Sequence, residues 1–309
     1  MLKGIFKESH PLVQLLLVLA FVFSGAIAGQ FIGIFVVFIK YGFSMEIVDA
    51  ILKNLTEYAS VIREIQFFSA LGMFVFPALI LAYLFSEDYK NYLKIDTPVS
   101  LPLCLWVVVS IVVSFPFLNF VAYYNDAIHF PEALKPLEDI LRAQDEANRA
   151  MSKAMLNADS MWDLTMNIVV AGIFAAVGEE FVFRGILQRV FSRILRNKHV
   201  VIWTVALIFS LAHFQFFGLV PRLLLGAYFG YLVYFTKNIW IPVIAHFFNN
   251  FVIILNFWSL KDNPEALEAM DKVGSGSSWW VALVSLVLFA LVFGIIRKQA
   301  LRSSENFPA

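Results

Sequence analysis

Apolar residues run almost without interruption for about 20 positions in several stretches, the length an α-helix needs to cross a hydrocarbon core. Eight such stretches are predicted, at 11–39, 67–85, 101–124, 164–183, 200–218, 223–235, 239–259 and 278–296. The sixth is short and relies on its flanks. Lys3, Lys7 and Ala26-Ile27-Ala28 around the first imitate a secretory signal with its cleavage site. The apolar run nevertheless continues through 31–39, which predicts a retained helix. The expected fold is all-α, a polytopic membrane bundle of about eight transmembrane helices.

The segments between the spans differ in kind. Two of them, 41–66 and 125–163, are long and amphipathic, and 131–158 is rich in helix-forming residues. It predicts one or two helices lying along the membrane surface. Gly274-Ser275-Gly276-Ser277 predicts a flexible joint before the last span. Gly25, Gly29 and Gly33, like Gly226 and Gly230, recur every four residues, a spacing that lets helix backbones approach closely. The chain is expected to divide into N-terminal helices with amphipathic outer segments (1–163), a core rich in intramembrane polar residues (164–259), and a last helix with its tail (260–309).

Composition narrows the class. Hydrophobic residues make up 60% of the 309 and charged ones 15%, against about 45–50% and about 25% in soluble domains. A water-soluble enzyme is excluded. The 23 basic and 23 acidic residues cancel, which leaves no overall basic excess to attract nucleic acid. A single cysteine, Cys104, excludes an internal disulfide. With the N-terminus inside, inner segments hold 13 Lys and Arg and outer segments 10, while 5 acidic residues lie inside and 16 outside. The positive-inside bias therefore predicts cytoplasmic N- and C-termini. The tail, ending Asn306-Phe307-Pro308-Ala309, carries no ER-retention sequence, and a bacterial inner (plasma) membrane is expected.

Ionisable side chains inside a bilayer cost about 2.5–3.5 kcal/mol each, so their positions carry information. Here they concentrate at Glu179, Glu180 and Arg184, at Phe209-Ser210-Leu211-Ala212-His213, and at His246-Phe247-Phe248-Asn249-Asn250. Glu180 and Arg184 share a helix face in the favourable order. Glu179 points about 100° away and should have the higher pKa of the two acids, as a general base acting on water requires. The Phe209 ring can buttress His213 one turn later. His246 and Asn250 share a face and could hold a developing oxyanion. At 1.5 Å per residue, His246 lies about 12–14 Å from Lys237–Asn238, and Glu179 about 15 Å from Arg189. His213 matches that depth only if its helix begins near Thr204. Taken singly, a His or Asn at such a position is more often interhelical glue, and a Glu–Arg pair near a span end more often structural; their coincidence within four spans argues for one polar cavity.

These three patches, in this order, resemble the motifs of the CPBP family, the CAAX protease and bacteriocin-processing (Abi) membrane proteases that include the type II CAAX prenyl endopeptidases. The resemblance rests on Glu179, Glu180 and Arg184, then Phe209 and His213, then His246 and Asn250, and it covers about 164–251. It implies an intramembrane endopeptidase of about eight helices, opening toward the cytoplasm and acting on membrane-associated peptide or protein substrates within the lipid bilayer. It further implies that Glu179 and His213 activate water, that His246 and Asn250 form the oxyanion hole, and that Glu180 and Arg184 hold the site in shape. Asn249 could compete with Asn250. The family is often labelled metalloprotease, yet no His-Glu-x-x-His run occurs. Metal-free activation of water is favoured, with zinc on Glu179, His213 and His246 as the alternative. Two other functions compete with proteolysis: a catalytically idle membrane scaffold or bacteriocin immunity factor, and an ion-coupled transporter whose Glu and His form a relay. Transporters often repeat their halves, and residues 1–160 hold no counterpart of the 179–250 block.

Overall fold

The computed structural model describes residues 2–306; the last residues of the tail, Phe307-Pro308-Ala309, lie outside them. Among the described residues there is no strand. The helices run α1 (Pro11–Tyr41), α2 (Met45–Lys53), α3 (Ala59–Phe85), α4 (Tyr89–Leu93), α5 (Leu101–Asp126), α6 (Lys135–Leu156), α7 (Met161–Ile194), α8 (Lys198–Leu211), α9 (Leu219–Thr236), α10 (Trp240–Ser259), α11 (Pro264–Asp271) and α12 (Trp279–Asn306). Seven of them, α1, α3, α5, α7, α9 with its preceding turn, α10 and α12, are long and apolar enough to cross a membrane. The shorter α8 completes the polytopic helical bundle of about eight helices.

Two expectations about individual spans need correction. The fifth, expected at 200–218, starts at Lys198 and already ends at Leu211, because Ala212 and His213 turn out of the helix and Phe214 adopts a left-handed φ of 51°. The start near Thr204 that the depth comparison needed is therefore not found. The sixth span, expected to be the short one, is the fuller helix, since Leu219–Val220-Pro221-Arg222 extends it at the start. Gly274–Ser277 is likewise no loose joint. The Gly274 N–H donates to Ser278 Oγ at 3.0 Å, Ser275 Oγ donates to Lys272 O at 2.7 Å, and a Cβ on Gly274 would overlap the Pro116 carbonyl.

The described chain forms two compact units whose segments alternate along the sequence. The first comprises 1–96, 151–198 and 250–258. Within it α1 lies backbone to backbone on α3. A Cβ on Gly25 would overlap the Gly72 carbonyl oxygen, one on Gly29 the Phe68 carbonyl oxygen, and one on Gly33 would lie 2.9 Å from Ile65 Cα. The four-residue glycine spacing is thus a packing device. At the centre of α3, Leu71–Val75 widens into a π-helix, and α7 meets it through Gly178, where a Cβ would come 2.8 Å from Phe74 Cβ. Buried Arg63 pins the start of α7, donating to Met155 O and Asn157 O and pairing with Asp163. Arg193, near its end, donates to Gln14 Oε1 at 2.8 Å.

The second unit comprises 97–150, 199–249 and 259–309. Its core joins Leu103, Val107 and Ile111 of α5, Phe229 and Leu232 of α9, Ile241 and Ala245 of α10, and Val292 and Ile296 of α12. Polar groups inside this core are satisfied locally: Ser110 Oγ and Tyr228 OH are 2.5 Å apart. Pro116 lies inside α5, and there Ser285 Oγ enters the ladder, accepting from Phe117 N–H and donating to Val113 O. This is an identified way to accommodate a helix irregularity without orphaning its amides. The amphipathic segment at 131–158 forms the single helix α6, preceded by a short turn at Glu132–Leu134.

Candidate active site

The first unit carries Glu179, Glu180, Arg184 and Asn250. Helix α7 is continuous but not uniform: Ile168–Phe174 and Phe181–Leu187 are π-helical, leaving Ala175–Glu180 as an α-helical turn between them. Each π stretch fits an extra residue into a turn, and such interruptions are frequent at functional sites. The paired acids stand at the end of the intervening turn. Glu180 is fully buried and its Oε1 accepts from Arg184 Nη1 at 2.9 Å, with both side chains completely out of solvent. Two unlike charges in such a place must answer each other, because the desolvation cost of either alone is several kcal/mol, about the scale of the pair's stabilisation. Glu179 is only half-buried, so the two adjacent acids have separate surroundings. Asn250 donates from Nδ2 to the Ala171 carbonyl at 2.9 Å, which ties α10 to the first π stretch. Sequence spacing gave no signal for that bond.

The second unit carries Phe209, His213, His246 and Asn249. Because His213 lies just past the end of α8, its ring folds back on the helix. Nδ1 is 2.9 Å from the Phe209 carbonyl oxygen. A carbonyl only accepts, so Nδ1 carries the hydrogen, and a neutral ring then offers its lone pair at Nε2. The Phe209 side chain meets His213 edge-on, with centroids 5.1 Å apart, and meets His246 in the same manner at 5.9 Å. Phe229 stacks on the other imidazole at 5.0 Å. One buried phenyl ring thus serves both histidines, and His246 is held between two aromatic walls with 5% of its surface exposed. Asn249 is buried, whereas Asn250 is half-buried. His246 and Asn250 stand one turn apart on α10.

Within either unit, among the described residues, no group of three or more His, Cys, Asp or Glu could hold a metal ion. Glu179 belongs to one unit and both His213 and His246 to the other.

Residues 161–252 match the family model described as "Type II CAAX prenyl endopeptidase Rce1-like". The match begins where α7 begins and contains Glu179, Glu180, Arg184, Phe209, His213, His246, Asn249 and Asn250. This segment, a little under a third of the chain, is thus similar to the type II CAAX prenyl endopeptidases, which supports assignment to the CAAX protease family. No curated protein and no solved structure gave a significant match.

Proposed function

We propose that the protein is an intramembrane endopeptidase that hydrolyses peptide bonds of membrane-associated substrates with a water activated by Glu179 and His213. The observation that carries this reading is the division of labour between adjacent acids within the family-matched segment. Glu180 is committed to Arg184, while Glu179 is half-buried. A base must be reachable by water, and a scaffold element must not be. In the proposed step, Glu179 takes a proton from water that His213 Nε2 orients. The resulting hydroxide adds to the scissile carbonyl carbon. His246 and Asn250 donate to the oxygen that gains charge, an arrangement that matters most in the transition state. Collapse breaks the C–N bond, and the proton held by Glu179 passes to the departing amine. Metal-free activation is preferred because zinc on Glu179, His213 and His246 would occupy the ring that is to donate to the oxyanion. The excess of basic residues in alternate segments supports cytoplasmic N- and C-termini.

The test compares the membrane-peptide proteomes of cells carrying the wild-type chain and a Glu179→Ala copy. Peptides with new termini should be present with the first and missing with the second. The same cleavage, followed with purified protein, should survive a strong chelator and desalting. Identical peptide sets would overturn the hydrolytic reading. Activity lost to the chelator and restored by zinc alone would instead move Glu179, His213 and His246 to ligands. An idle scaffold would show no Glu179-dependent termini at all.

A further inference from the structure

What holds His213 in place comes from a distant part of the chain. Past Leu211 the backbone turns through Ala212 and His213, and Phe214 takes φ 51°. A bulky L-residue keeps that conformation only where its surroundings impose it. Here they are supplied by α6 and the end of α5. Asn148 Nδ2 donates to the Phe214 carbonyl at 3.0 Å. Asp145, with 4% of its surface exposed, accepts from two successive amides, Phe216 N–H at 3.0 Å and Phe217 N–H at 2.8 Å. Asn125 Oδ1 accepts from Val220 N–H at 2.8 Å, and the Arg142 guanidinium lies 3.9 Å from the Phe217 ring centroid. The turn leading into α9 has no capping side chain of its own at Gly218. The Asp145 carboxylate holds the amides of that turn, and Asn125 Oδ1 supplies the acceptor for Val220 N–H in the first turn of α9.

We propose that α6 is a strap that fixes the His213 imidazole, with Asp145 and Asn148 as positioning residues acting through the backbone of 214–217. This rests on the reading of His213 as the group that orients the hydrolytic water. The physical link is short. The His213 ring is aimed by its Nδ1–H bond to Phe209 O, and that bond requires the backbone to leave α8 at Leu211 in one direction. Asn148 and Asp145 grip the three residues that set the direction. Slackening the grip lets the ring drop the carbonyl and sample both tautomers, and a catalytic group displaced by about 1 Å can cost about 10² in rate.

The experiment uses the full chain in lipid nanodiscs with ¹⁵N-labelled histidine, the His213 resonances being assigned by their loss in His213→Gln. Wild type should show His213 as the single Nδ1–H tautomer. Asp145→Asn removes the charge and one acceptor. Asn148→Ala removes only the donor to Phe214 O and, as a partly solvated contact at one end of the strap, should leave the melting temperature nearly unchanged. Both variants should mix the two tautomers, lower kcat by about 10- to 100-fold with KM within about twofold, and displace the acid limb of the pH–rate profile. An unchanged ¹⁵N signature together with unchanged kcat in folded Asn148→Ala would overturn the strap. The two readings fail separately. Tautomer mixing in a protein that cleaves nothing would uphold the strap and sink hydrolysis. Glu179-dependent cleavage indifferent to Asn148 and Asp145 would do the reverse.

Discussion

Glu180 and Arg184 in α7, and Glu138 and Arg142 in α6, are both acid–base pairs four residues apart, and each glutamate has a second acid beside it, Glu179 or Asp139. Their surroundings differ completely. In α7 both partners are fully out of solvent, Glu180 ending the α-helical turn and Arg184 lying inside the second π-helical stretch. In α6 the glutamate is buried but its arginine is one-third exposed, and the carboxylate also takes Phe130 N–H at 2.7 Å and His129 Nδ1 at 3.0 Å. The spacing therefore names the partner and says nothing about the role. The role follows from what else reaches the carboxylate: in α6, backbone and solvent-facing groups that fasten the loop at 128–130; in α7, an arginine as deeply buried as the carboxylate itself.

The sharpest way to break this comparison is to neutralise the two acids of α7 one at a time. Glu179→Gln should abolish turnover while the protein stays folded in the membrane, since general acid–base groups contribute about 10²–10⁴-fold. Glu180→Gln should act on stability instead. It leaves the Arg184 guanidinium without its counter-charge, and breaking a buried pair by removing one partner costs about 3–5 kcal/mol. Thermal unfolding in detergent and turnover on one cleaved peptide, measured for both variants, separate the roles. Near-normal cleavage by Glu179→Gln would end its assignment as base.

Asn250 and Asn249 offer a second, smaller contrast. Removing one oxyanion donor costs about 10²–10³ in turnover, so Asn250→Ala should lower kcat by about that factor with little change in KM. Its Nδ2 also donates to Ala171 O at 2.9 Å, a bond the same variant removes. Asn249→Ala, pointing about 100° away, should affect turnover less. Equal losses at the two positions, or a pure KM effect at 250, would remove Asn250 from the catalytic set.

How much of this was legible beforehand depends on the range of the interaction. The apolar runs marked the long helices because span length is a local property, and the Glu180–Arg184 pair was readable because it is an i,i+4 contact in one helix. The glycine spacing of α1 announced its packing for the same reason. The end of α8 was not readable. Residues 200–218 are apolar enough to continue as a helix, and what stops them is Asp145 and Asn148 bonding to Phe214, Phe216 and Phe217 from another helix. Nor could the π stretches of α7 be seen, since they change which residues share a face without changing hydrophobicity. Gly274–Ser277 read as flexible from composition, yet Ser278, Lys272 and Pro116 hold it still.

The Glu138–Arg142 pair should reveal itself through acid. The Phe130 N–H, with Arg142 and then His129 adding to it, holds the Glu138 carboxyl down to about 2 from an ordinary value of 4.5. A depressed folded-state pKa means that the unfolded chain binds the proton first. The stabilisation is therefore complete above about 4.5 and is lost progressively as pH falls toward about 2. Lys135 also favours the charged form, so every basic neighbour acts in the same direction. Melting temperature followed from pH 6 to pH 2 should fall more steeply in wild type than in Glu138→Gln, and the two curves should converge at the acid end. Arg142→Gln should raise the folded-state pKa toward the ordinary value, so that the loss still begins near about 4.5 but is complete at a higher pH, which narrows the window. Other carboxylates titrate in the same range, but they do so in all three proteins and drop out of the difference. Parallel curves for wild type and Glu138→Gln would mean that the α6 pair is held by something other than the ionised carboxylate, and the distinction drawn between the two Glu–Arg pairs would lose its electrostatic basis.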